Sequence, residues 1–496
     1  MHSARHSQRR RPPKTGSDGH ATTVHRRPTV QTVGTFGNPS GAIVMKLVRY
    51  GCVVSSLTLT ACSGIPANVD ALDVDITTAL AQDSMIGQEG ADAPLAVDVS
   101  TGFKPALRAA LFNNQGYKAA LSLEKEAAAG ISVAASAGRP QITGDTTVGA
   151  IYESDPVSDT TTGVSGGLRL SQMIYDGGAM SGAVNRATAE TVAARAERLE
   201  RGNTVILEAG RAWLDVWQYR ERIAWLNAKT AEMDGVVQQI ERMASTGMLD
   251  RAALDSAKRQ IVDIELERKT LQSGFEDAKS RFKRYFGTEP GPLNQPDVIM
   301  TGQAAQERAQ HWKTAPRLRR SAAELVSAQA ALTEAEAAFK PTVSLQTGVM
   351  SPMNTDDTTD VSAGFRVEYT FGDGGRRVSQ LEAATARVES LTARLADEQY
   401  EAEAQSRAAL DKLMSIERSM PLLAEKISLS ASEAKTARSQ IATGQSNLRQ
   451  LVEAEIQHYR ARDQEIRMQA ELRLLLLEIA AGTGDLIGLV GAAKQT

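Results

Sequence analysis

Gly167-Leu168-Arg169-Leu170-Ser171-Gln172-Met173-Ile174-Tyr175-Asp176-Gly177-Gly178 decides the fold of this 496-residue chain. Its first part alternates, with Leu168, Leu170 and Ile174 apolar at even positions against Arg169 and Ser171. That period of two marks a strand with one apolar and one polar face. Its last part, Asp-Gly-Gly, is a tight junction rather than a ligand loop. The stretch returns 197 residues later as Gly364-Phe365-Arg366-Val367, followed by Asp373-Gly374-Gly375. The same offset relates Thr246-Gly247 to Thr443-Gly444, Leu254 to Leu451, Ala257 to Ala454 and Gly287 to Gly484. Upstream the offset is 201, pairing Pro140 with Pro341 and Tyr117 with Leu318, so a four-residue difference must lie in a loop between Pro140 and Gly167. Landmarks held at one spacing for over a hundred residues mark a duplication, and its period is too long for a solenoid.

Each copy reads helix, strand, loop, strand, long helix, turn, helix. Strands are expected at about 140–152, 163–174, 341–350 and 361–371. In the last, Val361, Ala363, Phe365, Val367, Tyr369 and Phe371 alternate with Ser362, Gly364, Arg366, Glu368 and Thr370. Strands of 10 to 12 residues are long enough to span a bilayer when tilted. Arg169, Arg366 and Glu368 then stand on a polar face, as a water-filled lumen would allow. Four strands cannot close into a barrel, and lipid does not tolerate an open sheet edge. Several chains must therefore share one barrel, and three chains give twelve strands.

The helices point the same way. No Pro occurs between Pro156 and Pro290, and Asp176 to Gly247 is rich in Ala, Glu, Arg, Leu and Gln. A continuous helix there would be about 107 Å long at 1.5 Å per residue. That is a coiled coil, a rod or the wall of a tube. Gly247 and Gly444 sit where the chain reverses. Pro421 falls inside the second long helix, where its counterpart is Ala224, and is expected to kink or interrupt it. The chain is 42% apolar but only 4% aromatic, too few large rings for a thick globular core of this length. Two Cys and six scattered His, at 2, 6, 20, 25, 311 and 458, provide neither a disulfide scaffold nor a metal motif. No nucleophile–base set or phosphate loop appears either, so no catalytic, cofactor or metal site is expected and an enzyme is the weakest reading. No run of about 20 apolar residues marks a membrane-spanning helix.

The N-terminal 61 residues carry nine Lys/Arg and one Asp/Glu. Residues 1–44 read as a disordered or non-native extension, with translation starting at Met45. From there Lys46 and Arg49 precede a short apolar stretch, as in an export signal over 45–61. Leu59-Thr60-Ala61-Cys62 resembles the lipobox of bacterial lipoproteins, which implies lipidation at Cys62. Residues 62–97 are acidic and unpatterned, and read as a tether from that anchor.

Taken with Leu170–Gly178 and the turn Thr443-Gly444-Gln445-Ser446 leading to Leu451-Val452-Glu453-Ala454, the chain resembles the TolC-like outer membrane efflux protein family, lipoprotein type, over roughly residues 98 to 490. The resemblance implies a mainly α fold with a small transmembrane β part. Its two tandem repeats would be 98–297 and 298–490, with tips at 245–249 and 442–446. Three copies would form a twelve-stranded β-barrel in the outer membrane, joined to a long α-helical barrel in the periplasm. It further implies a lipid-anchored export duct, partnered by a periplasmic adaptor protein and an inner-membrane RND or ABC transporter. Nucleic acid is not among the partners. Glu453 takes the position of a gate carboxylate, with Asp255 beside its first-copy counterpart Ser256. Gly247, Met248, Gly444 and Gln445 would touch the adaptor. The competing readings are a periplasmic adaptor, which has one helical hairpin flanked by compact β domains, and a structural coiled-coil envelope lipoprotein, which needs no alternating strands.

Overall fold

In the computed structural model the chain divides into Met1–Met85 and Ile86–Thr496. The structure describes residues 97–153, 159–245, 251–351, 358–442 and 448–492. The proposed leader, Cys62 and most of the tether lie outside them.

Two short helices come first, α1 (Phe103–Asn113) and α2 (Gln115–Ser136), followed by the hairpin β1 (Gln141–Glu153) and β2 (Asp159–Tyr175). Then come the long helix α3 (Ala179–Ser245) and its return α4 (Arg251–Phe286). The second half repeats this: a short α5 (Gly302–Ala309), α6 (Pro316–Ala337), β3 (Thr342–Ser351), β4 (Asp360–Glu368), α7 (Arg376–Ala442) and α8 (Leu448–Thr483), closed by α9 (Leu486–Leu489). Helices α3 and α7 are 67 residues each, about 100 Å; α4 and α8 are 36 each and α2 and α6 are 22 each. Both ends of each long pair are displaced by 197 residues, and both ends of the α2/α6 pair by 201. Strand register locates the change. Gln141 faces Ser171 and Thr342 faces Glu368, displaced by 201 in one strand and 197 in the other, so the four-residue difference lies inside the hairpins.

The long helices start at the Asp-Gly-Gly junctions. Asp176 accepts from the Gly178 and Met180 amides, and Asp373 from those of Gly375 and Arg377, satisfying donors that a helix leaves open at its first turn. The turn needs left-handed backbone, which Gly177 (φ 70°) and Gly374 (φ 68°) adopt without a Cβ penalty. Pro421 does not interrupt α7, contrary to expectation; the helix runs through it. A proline forfeits one backbone bond. Here it sits on the exposed side, while Leu413, Ile416 and Leu423 keep neighbouring turns buried.

The four strands form one antiparallel sheet in the order β1-β2-β3-β4, and among the described residues β1 and β4 have no partner on their outer sides. β4 ends at Glu368, short of the expected 371. The Thr370 carbonyl is taken by Arg377 Nη2 at 2.7 Å, which draws the strand end into the helix cap. Beneath the sheet, α2 packs on α3, α3 on α6 and α6 on α7. Farther down, α4 packs on α3, α3 on α8 and α8 on α7. Two short helices, α6 and α8, thus lie between the two long ones, and α2 and α4 flank α3 on its other side, giving a wall four helices wide. Small side chains such as Ala187, Ala189, Ala323 and Ala330 let these helices approach closely.

The main core lies at mid-length. Trp213 meets Phe103, Phe282 and Phe286 at ring-centre distances of 5.5, 5.9 and 5.8 Å, and Phe282 stacks on Phe286 at 4.3 Å. The linking segment 287–301 is strapped across the wall there. Arg220 donates to the Gly291 carbonyl at 2.6 Å, and Arg473 to that of Pro296 at 3.1 Å. Among the described residues no helix is long and apolar enough to cross a membrane.

Candidate functional site: sheet faces and a charged seam

Register sorts the sheet residues onto two faces, because side chains directly opposite in an antiparallel pair share a face. One cross-strand row is Ile142, Leu170, Thr347, Ala363; the next is Gly144, Leu168, Val349, Val361. Gln172, Leu345 and Phe365 continue this face, which carries the large apolar side chains. They are not covered in the single chain: Val361 is 75% and Phe365 72% exposed. The opposite face carries Thr143, Arg169, Gly348 and Ser362 in one row and Met173, Ser344 and Arg366 in another, with Glu368 beyond, opposite Thr342. Arg169, Arg366 and Glu368 therefore share the polar face. One parity expectation fails. An extra residue between Met173 and Tyr175 shifts the register, so Tyr175 stands opposite Val343 on the apolar side. A bulge leaves no mark in a simple alternation pattern.

Near the far end of the helices, α3 is fastened to α7 and α8 by charges set inside an otherwise apolar seam. Glu455 on α8 is 3% exposed and Lys229 on α3 is 7% exposed. Arg438 on α7 donates to Glu455 through Nε and to Glu232 on α3 through Nη2 at 2.8 Å. Lys229 Nζ is 2.7 Å from Glu232 Oε2 and 3.5 Å from Glu455 Oε2, an oxygen with no hydrogen bond of its own. Two turns along, Arg222 grips Asp463 with Nε at 2.6 Å and Nη2 at 3.3 Å. Between the two clusters the Trp225 indole donates to the Tyr459 carbonyl at 3.2 Å, and the Tyr459 hydroxyl to Glu267 on α4 at 2.9 Å. Burial first, and then the Glu267 carboxylate, push the Tyr459 phenol far up, so it is a fixed donor at any physiological pH.

Two further groups in this seam titrate at unusual values. Burial, then the Lys229 ammonium, holds the His458 imidazole below its ordinary range; its ring meets Trp225 edge-on at 5.4 Å, beside Glu455, Glu232 and Arg438. The hydrogen bond from Lys229 is the largest cause that keeps Glu232 below the usual carboxylate range.

The expected gate carboxylates are not part of this cluster. Glu453 is on α8, half exposed, and its only ion pair within the described residues is Arg449 at 3.4 Å. Asp255 is exposed on α4, and among the described residues no ion pair joins it to Glu453. The expected adaptor contacts Gly247, Met248, Gly444 and Gln445, like Cys62, lie outside the described residues. Sequence reasoning passed over Lys229, Arg438, Glu455 and Asp463. The available signal was position: Glu455 continues the seam Leu451, Val452, Ala454, Tyr459, all buried.

A family model described as outer membrane efflux protein matches residues 310–484, which is most of the second half. No curated protein matches the chain. Solved structures do. The Vibrio cholerae outer membrane protein VceC superimposes with a TM-score of 0.68 at 16% identity, over 78% of this chain and 96% of that one. The Campylobacter jejuni CmeC outer membrane channel gives 0.68 at 14% identity, over 77% and 86%. A CusC structure described by transmembrane channel formation gives 0.68 at 16% identity, over 77% and 92%. The fold is that of these channels, and the resemblance read from Leu170–Gly178 and from the turn after Ala442 is borne out.

Proposed function

We propose that this chain, which carries an outer membrane efflux protein domain on an outer membrane channel fold, is one third of an export duct that passes substrates from an inner-membrane RND or ABC transporter, through a periplasmic adaptor, to the exterior. The observation that carries the reading is the common order of sheet and wall. Strands run β1-β2-β3-β4 and helices α2-α3-α6-α7, so the open strand edges and the free helix flanks fall on the same two sides. Such a piece closes by side-to-side, head-to-tail contact with copies of itself, and such contacts form a ring when the rotation closes. Three copies supply twelve strands, the exposed apolar face meets lipid, and Arg169, Arg366 and Glu368 line the lumen. Cys62 carries the lipid anchor, and the tips around Gly247, Met248, Gly444 and Gln445 meet the adaptor.

Purified protein reconstituted into planar bilayers is expected to give discrete, voltage-stable conductance steps. Membranes that stay silent at saturating protein contradict the duct. Glu453, with Asp255 beside its first-copy counterpart Ser256, contributes an acidic ring at the tip. Three Glu453 carboxylates round one lumen would attract cations and repel anions. Glu453→Gln is expected to lower cation over anion preference in reversal-potential measurements; an unchanged reversal potential removes Glu453 from the lumen.

The charged seam between α3 and α8 sets how easily the tip opens. Sign follows from His458 and Glu232. A depressed imidazole favours the packed, neutral form, so its contribution is present above about pH 6.5 and is lost as pH falls below it. Glu232, also depressed, keeps its contribution until pH falls below the ordinary carboxylate range near 4.5. Conductance is therefore expected to rise between pH 7.5 and 5.5, and His458→Gln to flatten that rise. An identical pH profile in the variant contradicts the assignment.

A further inference from the structure

The two copies pack the ends of their return helices with side chains of different size. In the first copy α4 ends on Phe282 and Phe286, which stack on each other and close on Trp213 of α3; all three are almost fully buried. The 197-residue offset maps Phe282 and Phe286 onto Ile479 and Thr483 of α8, and Trp213 onto Leu410 of α7. Three large rings are answered by Ile, Thr and Leu. The joint where α8 gives way to α6 is itself tight. A Cβ on Gly484 would come 2.7 Å from the Pro316 ring, and Thr314 donates to the Thr483 carbonyl at 3.3 Å. Beside that joint, with Ile479 and Thr483 in its wall, lies a cavity of about 410 Å³. Its size is that of a small-molecule site.

The wall combines an apolar surface with charges of one sign. Leu207 from α3, Leu318 from α6, Ile479 and the half-buried indole of Trp312 supply the apolar part. The charged side chains are three acids, Glu200, Glu398 and Glu478, and one base, Arg317, which is itself paired with Glu401 at 3.3 Å. Glu398 is 5% exposed and fully occupied, accepting from Ser321 and from Arg394 Nε at 3.0 Å. Glu200 and Glu478 are 34 and 37% exposed, and each has one arginine, Arg320 at 2.9 Å and Arg211 at 3.1 Å. Neither of those arginines belongs to the cavity wall. Each carboxylate has a second oxygen, with further lone pairs to offer a donor. An anion entering here meets three like charges, whereas a cation meets two carboxylates with acceptor capacity to spare and an aromatic face.

We propose that this cavity binds an amphipathic organic cation, its ammonium group between Glu200 and Glu478 and its aromatic or alkyl body against Trp312, Leu207 and Ile479. One chain supplies every wall, so the inference does not depend on the duct. The same duplication that fills the joint with rings in one copy leaves room for a ligand in the other.

The test titrates full-length protein in neutral detergent with phenylbutylamine, phenylbutanol and phenylbutyrate, by calorimetry against matched detergent buffer. The amine is expected to bind at a single site per chain and to raise the melting temperature, as any ligand of the folded state does. The alcohol should bind about tenfold more weakly, and the carboxylate weaker still. Ile479→Phe with Thr483→Phe, which restores the first-copy rings, is expected to abolish binding of the amine. Glu200→Gln with Glu478→Gln should weaken the amine by about tenfold and leave the alcohol unchanged. Three probes of equal affinity, or no heat from millimolar amine, overturn the proposal. So does a ring-filled variant that binds the amine as the unaltered protein does. If that variant fails to fold, the Gln pair decides, and unchanged amine affinity there overturns the site. A silent planar bilayer with intact amine binding would remove the duct and leave this site standing.

Discussion

Glu455→Ala is expected to leave the duct open. Glu455 is buried and answers two cations, Arg438 and Lys229. Its removal strands both beside one remaining carboxylate, Glu232, which is itself half exposed. Breaking a buried pair from one side costs about 3–5 kcal/mol, because the remaining charges lose compensation without regaining water. If that cost falls on the packed arrangement of α3, α7 and α8, the population with the seam parted rises by about a hundredfold to several thousandfold, at about 1.4 kcal/mol per tenfold. The expected readouts are long-lived large-conductance openings in bilayers and loss of the barrier to large antibiotics in cells. Glu265→Ala, which removes a half-exposed partner of Arg268 one helix away, is the control and should change neither, as exposed pairs contribute about 0–1 kcal/mol. Equal conductance for Glu455→Ala and the unaltered protein would mean that the seam does not bear on the passage.

The second large effect concerns the sheet. Phe365→Arg places a charge on the face assigned to lipid, in a row with Leu345 and Gln172. On the lipid face of a barrel such a charge costs about 2–4 kcal/mol at mid-depth, and three copies pay it together. Loss of heat-resistant oligomers from the outer membrane fraction is expected. Ser344→Arg, two strands' alternation away on the polar face beside Arg366, should assemble normally and alter only conductance. If both variants behave alike, the faces are wrongly assigned.

The parts of this fold that sequence made legible are those set by neighbours in the chain. Asp176-Gly177-Gly178 marks a cap because the carboxylate reaches amides two and four residues on. Alternation in 361–367 marks a strand because the pleat has a period of two. What stayed hidden depends on contacts from far away. Glu455 looks like one more solvated acid on a helix rich in them; its burial is fixed by Lys229, more than two hundred residues earlier. The bulge before Tyr175 is a matter of how β2 meets β3, and β3 belongs to the other half of the chain. Pro421 shows the converse: a strong local signal for a break is overridden where tertiary packing holds the turns on either side. Of the candidate site, the polar strand face was readable and the charged seam was not, since a charged residue at a seam position carries no local sign of what it meets.

Single-particle images of the detergent-solubilised protein bear most directly on the central claim, that one chain is a segment of a hollow wall. End views should show a ring with threefold symmetry about an open centre, and side views a helical tube capped by a short barrel. A filled rod, or single chains with no central opening, would contradict it.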